Sequence, residues 1–410
     1  MVNTQGSTQR SLPQFVDIFN NINFGHLNEL VSVATENDIQ RILDKRVLNF
    51  EDFAMLLSDA ATNKLELLCQ RSSLLTQQRF GKVIRLFAPL YVSNECINNC
   101  QYCGFSRDNN ILRLTLSIDD VIKEAKDLYQ KGFRNILLVA GEHPKYVSNG
   151  YMNECIKAIR DFIPTIGLEI GPMESVDYQP LVKEGAEGLV VYQETYDRSV
   201  YSNMHTAGPK KDFDWRLETP ERAYQAGFRR IGIGALFGLA DWRYEAMALA
   251  SHAQFLTRKC WKSSFTVSFP RLRPCAGEFQ PLTELSDRHL VQLVAAFRLL
   301  LPDIGIVLST REPSILRDGL LPLGITHASA GSHTEPGGYT GAGKQDLHHT
   351  LRGRRVEADL GSVDENSATG QFDISDNRSP EQVASFLHSI GYEPVWKDWD
   401  LGLCPANKTI

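Results

Sequence analysis

Three thiols stand within one short stretch, Cys96-Ile97-Asn98-Asn99-Cys100-Gln101-Tyr102-Cys103. A structural zinc site closes with four ligands, usually as paired C-x2-C units or one such unit with a distant His pair. Here the triplet stands without a fourth partner nearby, and the next cysteines, Cys155 and Cys260, are each isolated. A [4Fe–4S] cube has four corners, and thiolates on three of them leave one iron open. That iron is free to hold a small chelating molecule. Cys96, Cys100 and Cys103 are therefore the candidate ligands of an open cluster.

Length and composition bound what surrounds the triplet. A chain of 410 residues with 42% hydrophobic content buries a large core. A net charge of −6 offers no bulk attraction to nucleic acid or to a membrane surface. No run approaches the roughly 18 apolar residues that span a bilayer. Eight scattered cysteines without an export signal predict a reducing, cytoplasmic compartment. Residues 1–25 read as a flexible polar leader, with an organelle transit peptide as the alternative.

Helical periodicity marks residues 26–82 as a cap, through Leu27–Ala34, Ile39–Leu43, Phe50–Ala60 and Asn63–Phe80. From Val83 the pattern becomes eight short apolar runs: Val83–Val92, Asn135–Val139, Thr165–Ile170, Gly188–Tyr192, Arg230–Leu236, Ser264–Phe269, Gly305–Leu308 and Gly324–Ala328. Such runs suit strands buried on both faces. Capped amphipathic segments separate them, as at Ser117-Ile118-Asp119-Asp120 and Thr219-Pro220-Glu221. The alternation predicts an α/β fold, a (β/α)8 TIM-type barrel over 83–341, with an open doubly wound sheet as runner-up. A polar inserted loop is expected over 342–370, and a C-terminal extension packed on the barrel over 371–410.

A barrel gathers function at the C-terminal ends of its strands. Those ends carry the polar groups of this sequence: the cysteine loop, Gly141-Glu142-His143, Glu169, Gln193-Glu194, Arg271 and Arg273, Ser309-Thr310-Arg311, and Ser329-Ala330-Gly331-Ser332.

Taken together, these motifs resemble a known family. The spacing C-x3-C-x2-C with an aromatic before the last Cys resembles the radical S-adenosylmethionine (SAM) enzymes. Pro89–Asn94 with Gly104-Phe105, Leu137–Glu142, Tyr192–Tyr196, Ser268–Pro274, Leu308–Glu312, Ser329–Ser332 and Val395–Trp399 resemble the 2-iminoacetate synthases, the radical SAM tyrosine lyases of bacterial thiamine thiazole synthesis. The resemblance implies cleavage of the Cα–Cβ bond of L-tyrosine to 2-iminoacetate and p-cresol, with 5′-deoxyadenosine and methionine as co-products. It implies a [4Fe–4S] cluster on Cys96, Cys100 and Cys103, with SAM chelated to the open iron. It further implies thiazole synthase as a protein partner and a flavodoxin- or ferredoxin-type reductant.

Within that frame Tyr102 is expected to present its ring or backbone to the adenine. Glu142, after Gly141, is expected to accept hydrogen bonds from the SAM ammonium. Glu194 is assigned to the ribose hydroxyls and Arg216 to the SAM carboxylate. Arg271, Arg273 and Arg311 are the cations for the substrate carboxylate, because a guanidinium binds it bidentately. Arg311 is favoured, with Ser309 and Thr310 sharing the carboxylate or fixing the guanidinium. Glu278, His327 and His333 stand as alternatives for a phenol base. The rival readings are a hydrogenase-maturation tyrosine lyase, another radical SAM barrel acting on a different substrate, and a non-catalytic zinc scaffold. The maturase needs a further cysteine triplet, whereas Cys404 alone follows Cys275.

Overall fold

The computed structural model describes residues 13–351, 354–357 and 367–397. Eight strands follow one another with helices between them: β1 (Val83–Ser93), β2 (Asn135–Ala140), β3 (Thr165–Glu169), β4 (Ala186–Glu194), β5 (Arg230–Ala235), β6 (Ser264–Ser268), β7 (Gly305–Leu308) and β8 (His327–Ser329). Each pairs in parallel with its sequence neighbour. The sheet then closes on itself, because β8 pairs with β1 through Arg85–His327, Leu86–Ala328 and Phe87–Ser329. The expected (β/α)8 barrel is the observed fold.

The helices begin where the sequence caps them. Ser117, Ser148 and Ser286 each accept a hydrogen bond from the backbone N–H three residues on, starting Ile118–Gln130, Asn149–Ile159 and Asp287–Leu300. Alternation along the strands then splits their side chains between two faces. Ile84, Leu86, Ile136, Leu138, Ile166 and Leu168 are buried under the helices. Phe87, Leu137, Gly167, Val190, Gly232 and Val307 face the barrel interior instead. Glycines among these inward positions remove side-chain volume, which leaves the interior hollow.

The helical cap lies against one side of the barrel. Leu65–Phe80 packs on Asp287–Leu300, and Phe53 meets Phe297 edge-on at 5.1 Å between ring centroids. The buried Gln292 amide ties the layers, donating to the Leu56 and Ser58 carbonyls at 2.8 and 2.9 Å. The expected leader behaves differently over its described part. Phe15–Phe19 is a helix, Phe15 is fully buried, and its ring stacks on His252 at 4.1 Å. Two aromatic anchors outweigh the polar composition around them. Residues 1–12 lie outside the described residues.

The segment expected as an open polar insert also carries structure. A short antiparallel hairpin, His348–Leu351 with Arg354–Glu357, is pinned to the loop after the cysteines by two backbone hydrogen bonds between Arg113 and His348, at 2.8 and 3.1 Å. His348 and Thr350 of the hairpin are held by the buried Glu95 carboxylate, while Arg354 and Arg355 stay exposed. Beyond it, Glu393–Val395 extends the sheet beside Val83–Arg85, and Trp396 packs on Phe133. Arg317 and Asp376, both buried, form an ion pair that fixes the returning chain. Trp399 and Cys404 lie outside the described residues.

Candidate active site

At the C-terminal mouth of the barrel, the chain leaves β1 and enters the cysteine loop. The loop is held by its own backbone: Ile97 N–H donates to the Glu142 carbonyl at 2.8 Å, and Cys103 N–H to the Cys100 carbonyl at 3.2 Å. Two glycines permit the close approach. A Cβ on Gly141 would lie 2.2 Å from the Glu95 carbonyl oxygen, and one on Gly104 would lie 2.6 Å from that of Gln371. Gly141 thus serves the packing of β2 against the loop, while also lining the cavity beside it.

All three thiols open on one cavity, which Gly141, Glu142, Glu169, Glu194, Lys210, Arg216 and Gln371 also line. Among the described residues, no group of three or more His, Cys, Asp or Glu side chains closes around a point as a single metal ion requires. Thiolates at the corners of a cube stand further apart, and two amides face the sulfurs. Asn98 Nδ2 lies 3.8 Å from Cys96 Sγ and Gln371 Nε2 lies 3.9 Å from Cys103 Sγ. Burial pushes Cys103 up to about 11 and Cys100 higher still. The positive charge of bound iron is what converts such buried thiols to thiolates. Donor type, number and setting fit a cluster with one open corner.

The charged residues of the cavity are mostly matched to one another. The Glu142 carboxylate accepts from Asn98 Nδ2 at 2.7 Å. Glu194 adopts a left-handed backbone conformation, φ 72°, and turns its carboxylate to Lys210 Nζ at 2.7 Å and Arg216 at 3.5 Å. Burial alone would raise Glu194, but these two cations hold it below the ordinary carboxylate range. Arg216 is fixed in turn by the Tyr192 carbonyl at 2.7 Å. Glu169 differs from the rest, because it makes no hydrogen bond or ion pair with any described residue. Burial first, then the Glu194 charge, push its carboxyl up to about 7, against the pull of Arg311.

Other expected site residues are placed as follows. Tyr102 is buried beside the cavity rather than lining it, with its hydroxyl 2.7 Å from His205 Nε2. Arg271 is committed to Glu312 and Asp287, and Arg273 reaches the same Glu312 at 3.2 Å. Arg311 forms no ion pair with a described residue, and its guanidinium lies over the Phe372 ring at 3.3 Å from the centroid. Ser309 Oγ accepts from the Arg311 N–H at 3.4 Å. Of the phenol-base candidates, Glu278 is exposed, His333 bonds Glu335, and His327 lines the barrel interior among the strand starts Asn135, Thr165 and Arg230. Cys275 donates to the Tyr102 carbonyl at 3.3 Å and lines a separate cleft.

Sequence reasoning assigned no role to Glu169, Lys210, Asn98 or Gln371. Glu169 did carry a signal, a charge closing an apolar strand. Lys210 and Gln371 come from loops with no pattern of their own.

Comparison with known proteins bears on this site directly. Residues 90–250 match the Radical SAM superfamily, and residues 268–393 match the Biotin and Thiamin Synthesis associated domain. The 2-iminoacetate synthase of Escherichia coli (strain K12) is 40% identical over 97% of this chain and 99% of its own length. The chain belongs to the 2-iminoacetate synthase family. Its counterpart in Salmonella typhimurium is likewise 40% identical, over 96% of this chain and 99% of its own. Among solved structures, the [FeFe]-hydrogenase maturase HydG superposes with a TM-score of 0.81 at 32% identity, covering 93% of this chain and 81% of that one. The chain is thus a radical SAM enzyme of the lyase type, and the synthase reading stands above the maturase one.

Proposed function

We propose that the protein cleaves the Cα–Cβ bond of L-tyrosine to 2-iminoacetate and p-cresol, forming 5′-deoxyadenosine and methionine from SAM. The observation that carries this reading is the single cavity shared by three thiols, Gly141, Glu142, Glu194 and Arg216, in a chain related to the synthases along nearly its whole length. Cys96, Cys100 and Cys103 would hold the cluster, and Glu142, Glu194 and Arg216 would surround SAM at its open corner. When bound, the cluster and SAM would supply the radical chemistry, directed at the substrate amine.

The chain's own residues position and shield that chemistry. Lys210 and Arg216 keep Glu194 ionised, as an acceptor for ribose hydroxyls. Below the mouth, the hollow interior walled by Leu137, Val190, Tyr192 and Val307 offers an apolar space for a phenol ring. Arg311, uncommitted to any carboxylate of the described chain, is left for the substrate carboxylate, with Ser309 fixing its backbone. Arg271 and Arg273 are better read as support, since Glu312 already engages them.

We infer as well that the enzyme works in the cytoplasm, draws electrons from a flavodoxin- or ferredoxin-type donor and hands 2-iminoacetate to thiazole synthase. Seven free cysteines among the described residues support a reducing compartment. No described helix is long and apolar enough to cross a membrane. Product analysis after anaerobic incubation with SAM, reductant and either tyrosine or tryptophan tests the substrate. p-Cresol from tyrosine, with no indole-derived product from tryptophan, is the expected result. The reverse preference would replace tyrosine by tryptophan.

A further inference from the structure

Glu169 ends β3 and follows Thr165 and Gly167 on the inward face of that strand, so it points into the barrel mouth. In register, Tyr91, Val139 and Glu169 lie in one row across β1, β2 and β3. The carboxylates beside it already have partners: Asn98 for Glu142, and Lys210 and Arg216 for Glu194. Glu169 has none among the described residues, and neither does the guanidinium of Arg311 have an anionic one. Arg311 lies over the Phe372 ring, and the adjacent Gln371 lines the cavity that Glu169 enters and accepts from the Tyr91 hydroxyl at 2.8 Å, which brings the arginine to the rim of that space. An uncommitted carboxylate and an uncommitted guanidinium at one barrel mouth match the two charges of an α-amino acid.

We propose that Glu169 binds the substrate's α-ammonium group while Arg311 binds its α-carboxylate, so that the two clamp the amino acid as a zwitterion at the barrel mouth. This rests on the tyrosine reading above and deepens it. The clamp sets the amine on the wall that also carries Glu142 and Glu194, which is the side from which hydrogen must be taken. It also explains why a half-buried carboxylate at the mouth makes no ion pair with a described residue: its counter-charge arrives with the substrate. Selection follows from the same arrangement, because a ligand lacking the amine leaves Glu169 unmatched.

The test is equilibrium binding to the reconstituted, unreduced holoenzyme with SAM present, using tyrosine, tyramine and 3-(4-hydroxyphenyl)propanoate. These share the phenol; tyramine lacks the carboxylate and the propanoate lacks the amine. Glu169→Gln is expected to weaken tyrosine and tyramine at least about tenfold, while the propanoate changes by less than about twofold. Arg311→Ala is expected to do the converse, sparing tyramine. Glu169→Asp retains charge and should lose less than Gln on the amine-bearing ligands, a graded response that a folding defect would not confine to them. Equal losses across all three ligands, or none, would overturn the clamp. If the wild-type holoenzyme binds none of the three, the tyrosine reading itself is overturned, and the clamp with it.

Discussion

Two arginines at the barrel mouth should fail in opposite ways. Arg271 hydrogen-bonds the buried Glu312 through Nε at 3.0 Å and also reaches Asp287 at 2.7 Å. Removing one member of a buried pair strands the other, at a cost of about 3–5 kcal/mol. Arg273 keeps a partial counter-charge 3.2 Å from Glu312, so the lower end, about 3 kcal/mol, is expected for Arg271→Ala. Arg311 forms no ion pair with a described residue, so for stability its loss removes chiefly the stacking on Phe372, about 0.5–1 kcal/mol. Losing a charged partner for a bound carboxylate costs about 2–5 kcal/mol of affinity. At about 1.4 kcal/mol per decade, Arg311→Ala should therefore weaken tyrosine about a hundredfold. The assays are chemical denaturation for stability and ligand titration of the holoenzyme for affinity. Arg271→Ala should lower the denaturation midpoint, and Arg311→Ala should leave it nearly unmoved. Arg311→Lys should recover part of the affinity, since an ammonium lacks the bidentate fork. Normal tyrosine binding by Arg311→Ala, or a large stability loss in it with none in Arg271→Ala, would refute the reasoning.

Alanine at Cys96, Cys100 or Cys103 should abolish the cluster absorbance and 5′-deoxyadenosine formation together, whereas Cys155→Ala and Cys260→Ala should retain both, read by iron analysis and product assay. His348 Nε2 lies 2.7 Å from Glu95 Oε1, next to Cys96, and Thr350 reaches the same oxygen at 2.9 Å. His348→Ala should therefore hasten loss of iron to a chelator several-fold, with unchanged rates counting against a role for the hairpin. Phe15→Ala opens a cavity under a fully buried ring and should cost about 3–5 kcal/mol, seen as a lower denaturation midpoint. Tyrosine affinity should rise between pH 6 and 8 as Glu169, held near 7 in the free cavity, ionises to meet the ammonium. Among the groups facing Glu169, Glu194 is held low and Lys210, Arg216, Tyr91 and Tyr192 are pushed up, and Arg311 also faces it, so Glu169→Gln should flatten that rise.

The barrel and its cysteine loop are legible in sequence because both are written locally. Strands buried on two faces appear as continuous apolar runs, and helix starts appear as Ser or Thr before periodic segments. The triplet needs only its own spacing. Boundaries slip where a strand end is polar, so Gly188–Tyr192 lengthens to Ala186–Glu194 and the eighth strand shifts to His327–Ser329. What sequence did not yield depends on distant partners. The 342–370 segment looks like a solvated loop until His348 is seen beneath Glu95, far away along the chain. The polar start conceals Phe15, whose importance comes from His252. Tyr102 sits among the cysteines, yet its hydroxyl is turned to His205. Among the three candidate arginines the sequence favours Arg311 by its place after a strand, but it does not show what holds the other two. Glu312 separates them, by engaging two and leaving the third.

The account's central claim is that this cavity couples SAM cleavage to breaking the tyrosine side chain from its α-carbon. A single anaerobic turnover with reconstituted enzyme, tyrosine, SAM and a strong reductant measures that coupling, with p-cresol and 5′-deoxyadenosine quantified together. The account predicts the two products in equal amounts, and neither from a Cys100→Ala variant. Ample 5′-deoxyadenosine without p-cresol, or p-cresol from the cysteine variant, would contradict it.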